Sequence, residues 1–361
     1  MAAVPASTQA IIMIGFDYQG GGADFAGIAR NRRTRLLAAS PQMTVTFLDV
    51  AAGTTTVSAM TPNATGAPAR TVTTTQTHTK VSSRNYSTGL GHHARFDKDQ
   101  TGRMSITDLY TAIQAVGSAK PTAGTLVEVS VFAHGFFGGP ILVNSDDQST
   151  TTARDPNDKD ARADKDFTAP SMTAAQLTSF RAAFASNAFW WTWGCAFTES
   201  YRQVTHRFIN SPLYKKTPAG TLKDADKIKF IFPQAMADDI YDDDHTFFPQ
   251  AKHTSGRKRG KYKDLTFERT VKEIKAFFLL GVADSYHRAV ARAAGIAVRG
   301  AFLGTYSDYE SNDRSIKLPL MAIPRSVRVY KTDFTRYLTM WTKDLGFALE
   351  PEGHGYGVFP P

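Results

Sequence analysis

Cysteine is almost absent, with one residue, Cys195, in a chain of 361. No disulfide can close within the chain and no cysteine-rich zinc site can form, so a small secreted fold stapled by disulfides is excluded. A lone thiol is either a small buried apolar residue or a reactive nucleophile, and its surroundings decide between the two. Long apolar runs are scarce as well. The opening MAAVPASTQAIIMIGFDYQGGG has no basic segment ahead of its apolar run, Ala10 to Phe16, and that run is too short for a signal core or a span. No later stretch reaches the roughly 18 apolar residues that a spanning helix needs. These features predict a soluble protein with no membrane span, cytoplasmic when made, or exported without a signal. Concentrated charge is the third absence. The net charge is +9, yet the densest basic run, Lys252 to Lys263, is broken by Gly256 and Gly260 and reads as a solvated loop. No nucleic-acid partner is expected from it.

What is present is a core-forming composition, 42% hydrophobic with 11% aromatic residues, and an alternation of strand and helix patterns. Ile11 to Phe16 is a continuous apolar run, as in a strand buried on both faces. Gly20, Gly21 and Gly22 end it. Phe25 to Ala39 reads as a helix with Phe25, Ile28, Leu36 and Leu37 inward and Arg30, Arg32, Arg33 and Arg35 outward. Met43 to Val50 is a second strand. Residues 51–90, rich in Thr, Ser and Ala, form a hairpin-like insertion with an edge strand near Thr71 to Val81. Ser105 to Val116 and 173–186 are helices with capping-box spacing at Ser105 and Asp108 and at Thr173 and Gln176. Leu126 to Ala133 and Ala188 to Trp193 are apolar strands, and Lys227 to Phe232 is a fifth. Phe267 to Arg299 is mostly helical with a bend at Gly281, and Phe302 to Tyr306 and Ser326 to Tyr330 are short strands. This order predicts a three-layer α/β/α sandwich on a mainly parallel sheet. Residues 1–250 form the main domain, and residues 251–361 a C-terminal helical extension packed on it.

Two consecutive core strands end in conspicuous motifs, one in His134-Gly135 and the next in Gly194-Cys195. Functional groups of parallel α/β sheets gather at the carboxyl ends of the strands. If these two strands are neighbours, an imidazole stands beside a thiol, stabilises the thiolate and can return a proton to a leaving amine. The backbone N–H groups of Gly135 and Cys195 could hold the oxyanion.

An apolar strand ending in His-Gly, then a crossover, then an apolar strand ending in Gly-Cys resembles the caspase-like cysteine peptidases, which include caspases, metacaspases, legumains and clostripain-like enzymes. VEVSVFAHG (127–135) and FWWTWGC (189–195) are similar to their two blocks, and the unit at 11–50 is similar to their first two strands. The resemblance spans about residues 10–235 and implies a peptidase acting on protein or peptide substrates, with Cys195 as nucleophile, His134 as base and no required cofactor. It stops short at specificity. Metacaspases and clostripain-like enzymes usually carry an acidic residue two positions before the cysteine, where this chain has Trp193. Trp193, and Asp17 after the first strand, are the candidates for the substrate pocket.

The charged crossover 146–167 invites a calcium reading, with Asp155, Asp158 and Asp160 as oxygen ligands beside Asp164 and Asp166; the alternative is a solvated acidic-basic loop. The acidic run Asp238 to Asp244 and the EF-hand-like Asp97, Asp99 and Gly102 carry similar alternatives. Two rival functions stand beside the peptidase. An α/β-hydrolase-type esterase would use HGFFGG (134–139) as its oxyanion loop and His354 as its base, although Trp193 and Phe197 crowd the strained turn its nucleophile needs. A non-catalytic scaffold on the same fold would leave Cys195 and His134 as structural residues. Substrate preference and oligomeric state are not legible.

Overall fold

The computed structural model describes residues 7–96, 100–233, 247–248, 265–308, 320–322 and 331–361. The basic run at 252–263, the acidic run Asp238 to Asp244, the pair Asp97 and Asp99, and the expected strand Ser326 to Tyr330 lie outside these residues.

In chain order the strands are β1 (Gln9–Ile14), β2 (Thr44–Asp49), β3 (Thr54–Pro62), β4 (Pro68–Gln76), β5 (Leu126–Phe132), β6 (His134–Phe136), β7 (Gly139–Ile141), β8 (Phe184–Trp193), β9 (Lys227–Phe232), β10 (Leu265–Thr270), β11 (Ala297–Gly300), β12 (Tyr306–Asp308), β13 (Leu320–Ala322), β14 (Ala348–Leu349) and β15 (Gly357–Phe359). The helices are α1 (Phe25–Ala39), α2 (Ile106–Ser118), α3 (Ala174–Ala182), α4 (Glu199–Asn210), α5 (Pro212–Lys216), α6 (Val271–Asp284), α7 (Tyr286–Ala294) and α8 (Lys331–Thr339).

Nine strands make one sheet in the order β14-β15-β11-β8-β5-β1-β2-β3-β4. Its centre, β2-β1-β5-β8-β11, is parallel throughout. Crossovers link these parallel strands, and the central ones are apolar along nearly their whole length because both faces are covered. Antiparallel hairpins close the two sides. Helix α1 covers one face. Helices α2, α3 and α7 cover the other, where Tyr110, Phe180, Trp190 and Tyr286 meet ring to ring. The chain turns one way from β1 to β2 and the other way from β1 to β5 to β8, so right-handed crossovers place the helices on opposite faces. The α/β/α sandwich expected from the sequence is the architecture observed.

Several local expectations are corrected. Lys227 to Phe232 is a strand as expected, β9, and it pairs with β10 in a two-stranded ribbon separate from the main sheet. Phe302 to Thr305 is a turn, and strand structure resumes only at Tyr306. The long helix breaks at Ser285, not at Gly281. Ser285 is extended (φ −72°, ψ 156°), caps α6 at one end, and accepts from the Arg288 N–H at the start of α7. Gly281 stays helical, and Tyr201 packs where a side chain at that position would be. Beside its helices, the C-terminal third contributes β11, β14 and β15 to the central sheet.

Arg32 does not face solvent. It is 5% exposed and forms a bidentate pair with Glu128 of β5 (2.8 and 2.6 Å) and a further bond to Glu352 (2.6 Å). Glu128 is 1% exposed and would be an unpaired buried charge without it.

Candidate active site

The site is built where the strand order reverses, at the carboxyl ends of β1 and β5, the position at which open parallel sheets bind ligands. β5 and β8 are hydrogen-bonded neighbours with Phe132 opposite Trp193. His134 and Cys195 therefore leave adjacent strands side by side. The two exits continue in parallel, bridged between Phe136 and Phe197, and they run so close that only glycine fits. A Cβ on Gly135 would lie 2.5 Å from the Cys195 carbonyl oxygen, and one on Gly194 would lie 2.6 Å from that of Ala133.

His134, Gly135 and Cys195 open into one cleft of about 1440 Å³, with Asp17, Tyr18 and the Gly21–Gly22 loop on its β1 side. Cys195 is half-buried. The His134 Nε2 lies 2.8 Å from Asp17 Oδ1. Asp17 Oδ2 accepts from the backbone N–H groups of Gly22 (2.9 Å) and Ala23 (3.1 Å). Burial pushes the Asp17 carboxyl up. The hydrogen bond and charge of His134, with the N–H groups of Ala23 and Gly22, outweigh it and hold the carboxyl below the usual carboxylate range. The imidazole is clamped between two aromatic edges, Tyr18 at 4.9 Å and Phe25 at 5.0 Å between ring centroids. Burial pushes the Tyr18 phenol up to about 12, with the nearby Asp160 and Cys195 charges adding to it, so its hydroxyl keeps its proton at neutral pH.

Of the two pocket candidates, Asp17 is in the cleft but is spent on His134. Trp193 is not in it. Alternation along β8 turns Trp191 and Trp193 to the same face, where their rings stack at 3.8 Å beneath the Arg32 guanidinium. Trp193 is fully buried and its indole N–H donates to Ser130 (3.2 Å). His354, the base of the rival esterase, packs on this same tryptophan pair and does not line the cleft. HGFFGG forms the β6–β7 hairpin.

The crossover 146–167 is largely exposed from Asp146 to Asn157, as a solvated loop is, but it is buried at Asp158, Asp160 and Asp166, whose carboxylates already have partners. Asp160 is 1% exposed, and its oxygens accept from the N–H groups of Leu142, Val143 and Ser145. Asp158 pairs with Arg162 (2.6 Å) and accepts from the Ser145 hydroxyl. Asp166 is held by Tyr110 and Arg154. Asp155 turns its oxygens to the N–H groups of Asn157 and Gln148. Among the described residues no three His, Cys, Asp or Glu side chains are grouped to hold a metal ion. The segment is a wall of the cleft, contributing Asp146, Asp147 and Arg162.

Reading the sequence missed the Asp17–His134 contact and the aromatic clamp. The available signal was position: Asp17 and Tyr18 directly follow an apolar strand at its carboxyl end. No family model, curated protein or solved structure matches the chain. No helix among the described residues is long and apolar enough to cross a membrane.

Proposed function

We propose that the protein is a cysteine endopeptidase of caspase-like type, working through an acyl-enzyme. The observation that carries this reading is the exit of His134 and Cys195 from adjacent parallel strands into one cleft. His134 takes the Cys195 proton and the thiolate attacks the peptide carbonyl carbon. The oxyanion is met by the N–H groups of Gly135 and Cys195. The C–N bond then breaks as the imidazolium gives its proton to the departing amine. In the second half, His134 deprotonates a water, which attacks the thioester, releases the acid and restores the thiol–imidazole pair. Every proton taken is returned, so the cycle needs no cofactor.

The test is the reactivity of Cys195 toward iodoacetamide between pH 6 and 7, beside cleavage of a mixed fluorogenic peptide library. An activated thiolate alkylates rapidly at this pH, and His134→Ala slows it toward the rate of an ordinary thiol, which ionises near pH 8.5. Cys195→Ala abolishes peptide cleavage, a loss on the order of 10³-fold or more. Slow alkylation of the wild-type protein would support a structural role for Cys195. Undiminished cleavage by Cys195→Ala would rule out the cysteine mechanism.

A further inference from the structure

We infer that Asp17 is the positioning residue that sets the tautomer of His134, so that Nδ1 is the nitrogen left to serve Cys195. The catalytic part of this role rests on the peptidase reading; the tautomer does not. An ionised carboxylate only accepts hydrogen bonds, so at 2.8 Å from Asp17 Oδ1 it is His134 Nε2 that carries the hydrogen. In the neutral ring the free lone pair is then on Nδ1.

Three features make Asp17 an orienting group and not an incidental neighbour. Its second oxygen is tied down by the Gly22 and Ala23 N–H groups, so the carboxylate cannot rotate away from the ring. Those N–H groups precede helix α1 and would otherwise suit an external anion; Asp17 already fills that place. Tyr18 and Phe25 pack against the imidazole in T-shaped contacts and restrict its rotation away from the Nε2–Asp17 bond. When His134 accepts the thiol proton, the imidazolium forms against a carboxylate that is already in place, and Asp17 itself takes no proton, as in the Ser-His-Asp arrangement.

The experiment uses the full chain labelled with ¹⁵N-histidine. Long-range ¹H–¹⁵N correlations read the tautomer, and the His134 signals are assigned by their loss in His134→Gln. Wild type shows Nε2–H with a bare Nδ1. In Asp17→Asn the side-chain oxygen keeps the Gly22 and Ala23 bonds and the amide donates to Nε2, so the hydrogen moves to Nδ1. Iodoacetamide alkylation of Cys195 at pH 6.5 then falls toward the rate of an ordinary thiol, by up to about 10²-fold, since a thiol ionising near pH 8.5 is roughly 1% thiolate at that pH. Asp17→Glu retains the Nε2–H form and recovers part of the rate. A wild-type Nδ1–H tautomer, or an Asp17→Asn protein that keeps Nε2–H, overturns the assignment even if Cys195→Ala abolishes cleavage. A tautomer swap with slow alkylation in wild type and variant alike upholds the Asp17–His134 assignment and removes the peptidase reading.

Discussion

Strand β5 with its exit and the β1–α1 segment meet in two pairs of a carboxylate and a nitrogen base that differ in their access to water. Beneath the sheet, Arg32 and Glu128 have side chains 6% and 1% exposed. At the strand ends, His134 and Asp17 are 15% and 16% exposed and open into the cleft. The sealed pair has bidentate geometry and a roof of tryptophan, and Glu352 reaches it from the C-terminal segment. The open pair couples a carboxylate to an imidazole that shares its cleft with the Cys195 thiol. The same elements thus support a fixed contact on one side and a chemically usable one on the other. Solvent access and the choice of guanidinium or imidazole make the difference.

The largest effect expected from breaking the contrast is on the sealed side. Glu128→Ala leaves Arg32 buried with only Glu352 beside it, and removal of one partner of a buried pair costs about 3–5 kcal/mol. Urea unfolding should show this loss, and Arg32→Met with Glu128→Leu should recover most of it, because an apolar pair of similar volume removes both desolvated charges. A Glu128→Ala protein as stable as wild type would mean that the pair is not structural.

On the open side the expected stability change is smaller and the chemical change larger. Asp17→Ala frees two N–H groups and an imidazole edge that water can reach, for a cost of about 1–2 kcal/mol. Its contribution also depends on pH. The folded-state pKa of Asp17 is lowered, so the stability it supplies is complete above the unfolded value near 4 and is lost as pH falls through the lower folded value. If Asp17→Ala unfolds the protein as severely as Glu128→Ala, the two pairs are not separable in role.

Those pairs also mark what the sequence revealed and what it hid. The parallel core was legible because Ile11 to Phe16, Val127 to Ala133 and Phe189 to Trp193 are apolar runs too short for helices. The strand-end motifs were legible because His134-Gly135 and Gly194-Cys195 interrupt two of them. The inward turn of Arg32 was hidden because its partner lies 96 positions away. The one available hint was Glu128, a charge inside an otherwise apolar strand. The crossover misled for the opposite reason. Its alternating Asp, Arg and Lys residues have the composition of a solvated loop, but Asp158, Asp160 and Asp166 find Arg162, backbone N–H groups, and Tyr110 with Arg154 once folded. Composition cannot report pairing of that kind. Trp193 misled through alternation, since its neighbour Cys195 belongs to the chain exit beyond the strand while Trp193 still follows the pleat.

The smallest expected effect concerns Glu352, which joins the sealed pair from the C-terminal segment. It bonds Arg32 at 2.6 Å and Arg299 at 2.9 Å but keeps 30% of its side chain exposed. Burial pushes its carboxyl up, yet the His354 contact and the Arg32 and Arg299 charges prevail and hold it down at about 2. Because the folded value lies below the unfolded one, its stabilisation is present above about pH 4.5 and fades as pH falls toward 2. Partial exposure screens the interaction, so Glu352→Gln should cost only about 1 kcal/mol at pH 7. The variant should converge with wild type in urea midpoint near pH 2. A constant gap across that range would place the contribution of Glu352 in packing rather than charge. The sealed pair would then be Arg32 and Glu128 alone, and its contrast with the cleft pair would sharpen.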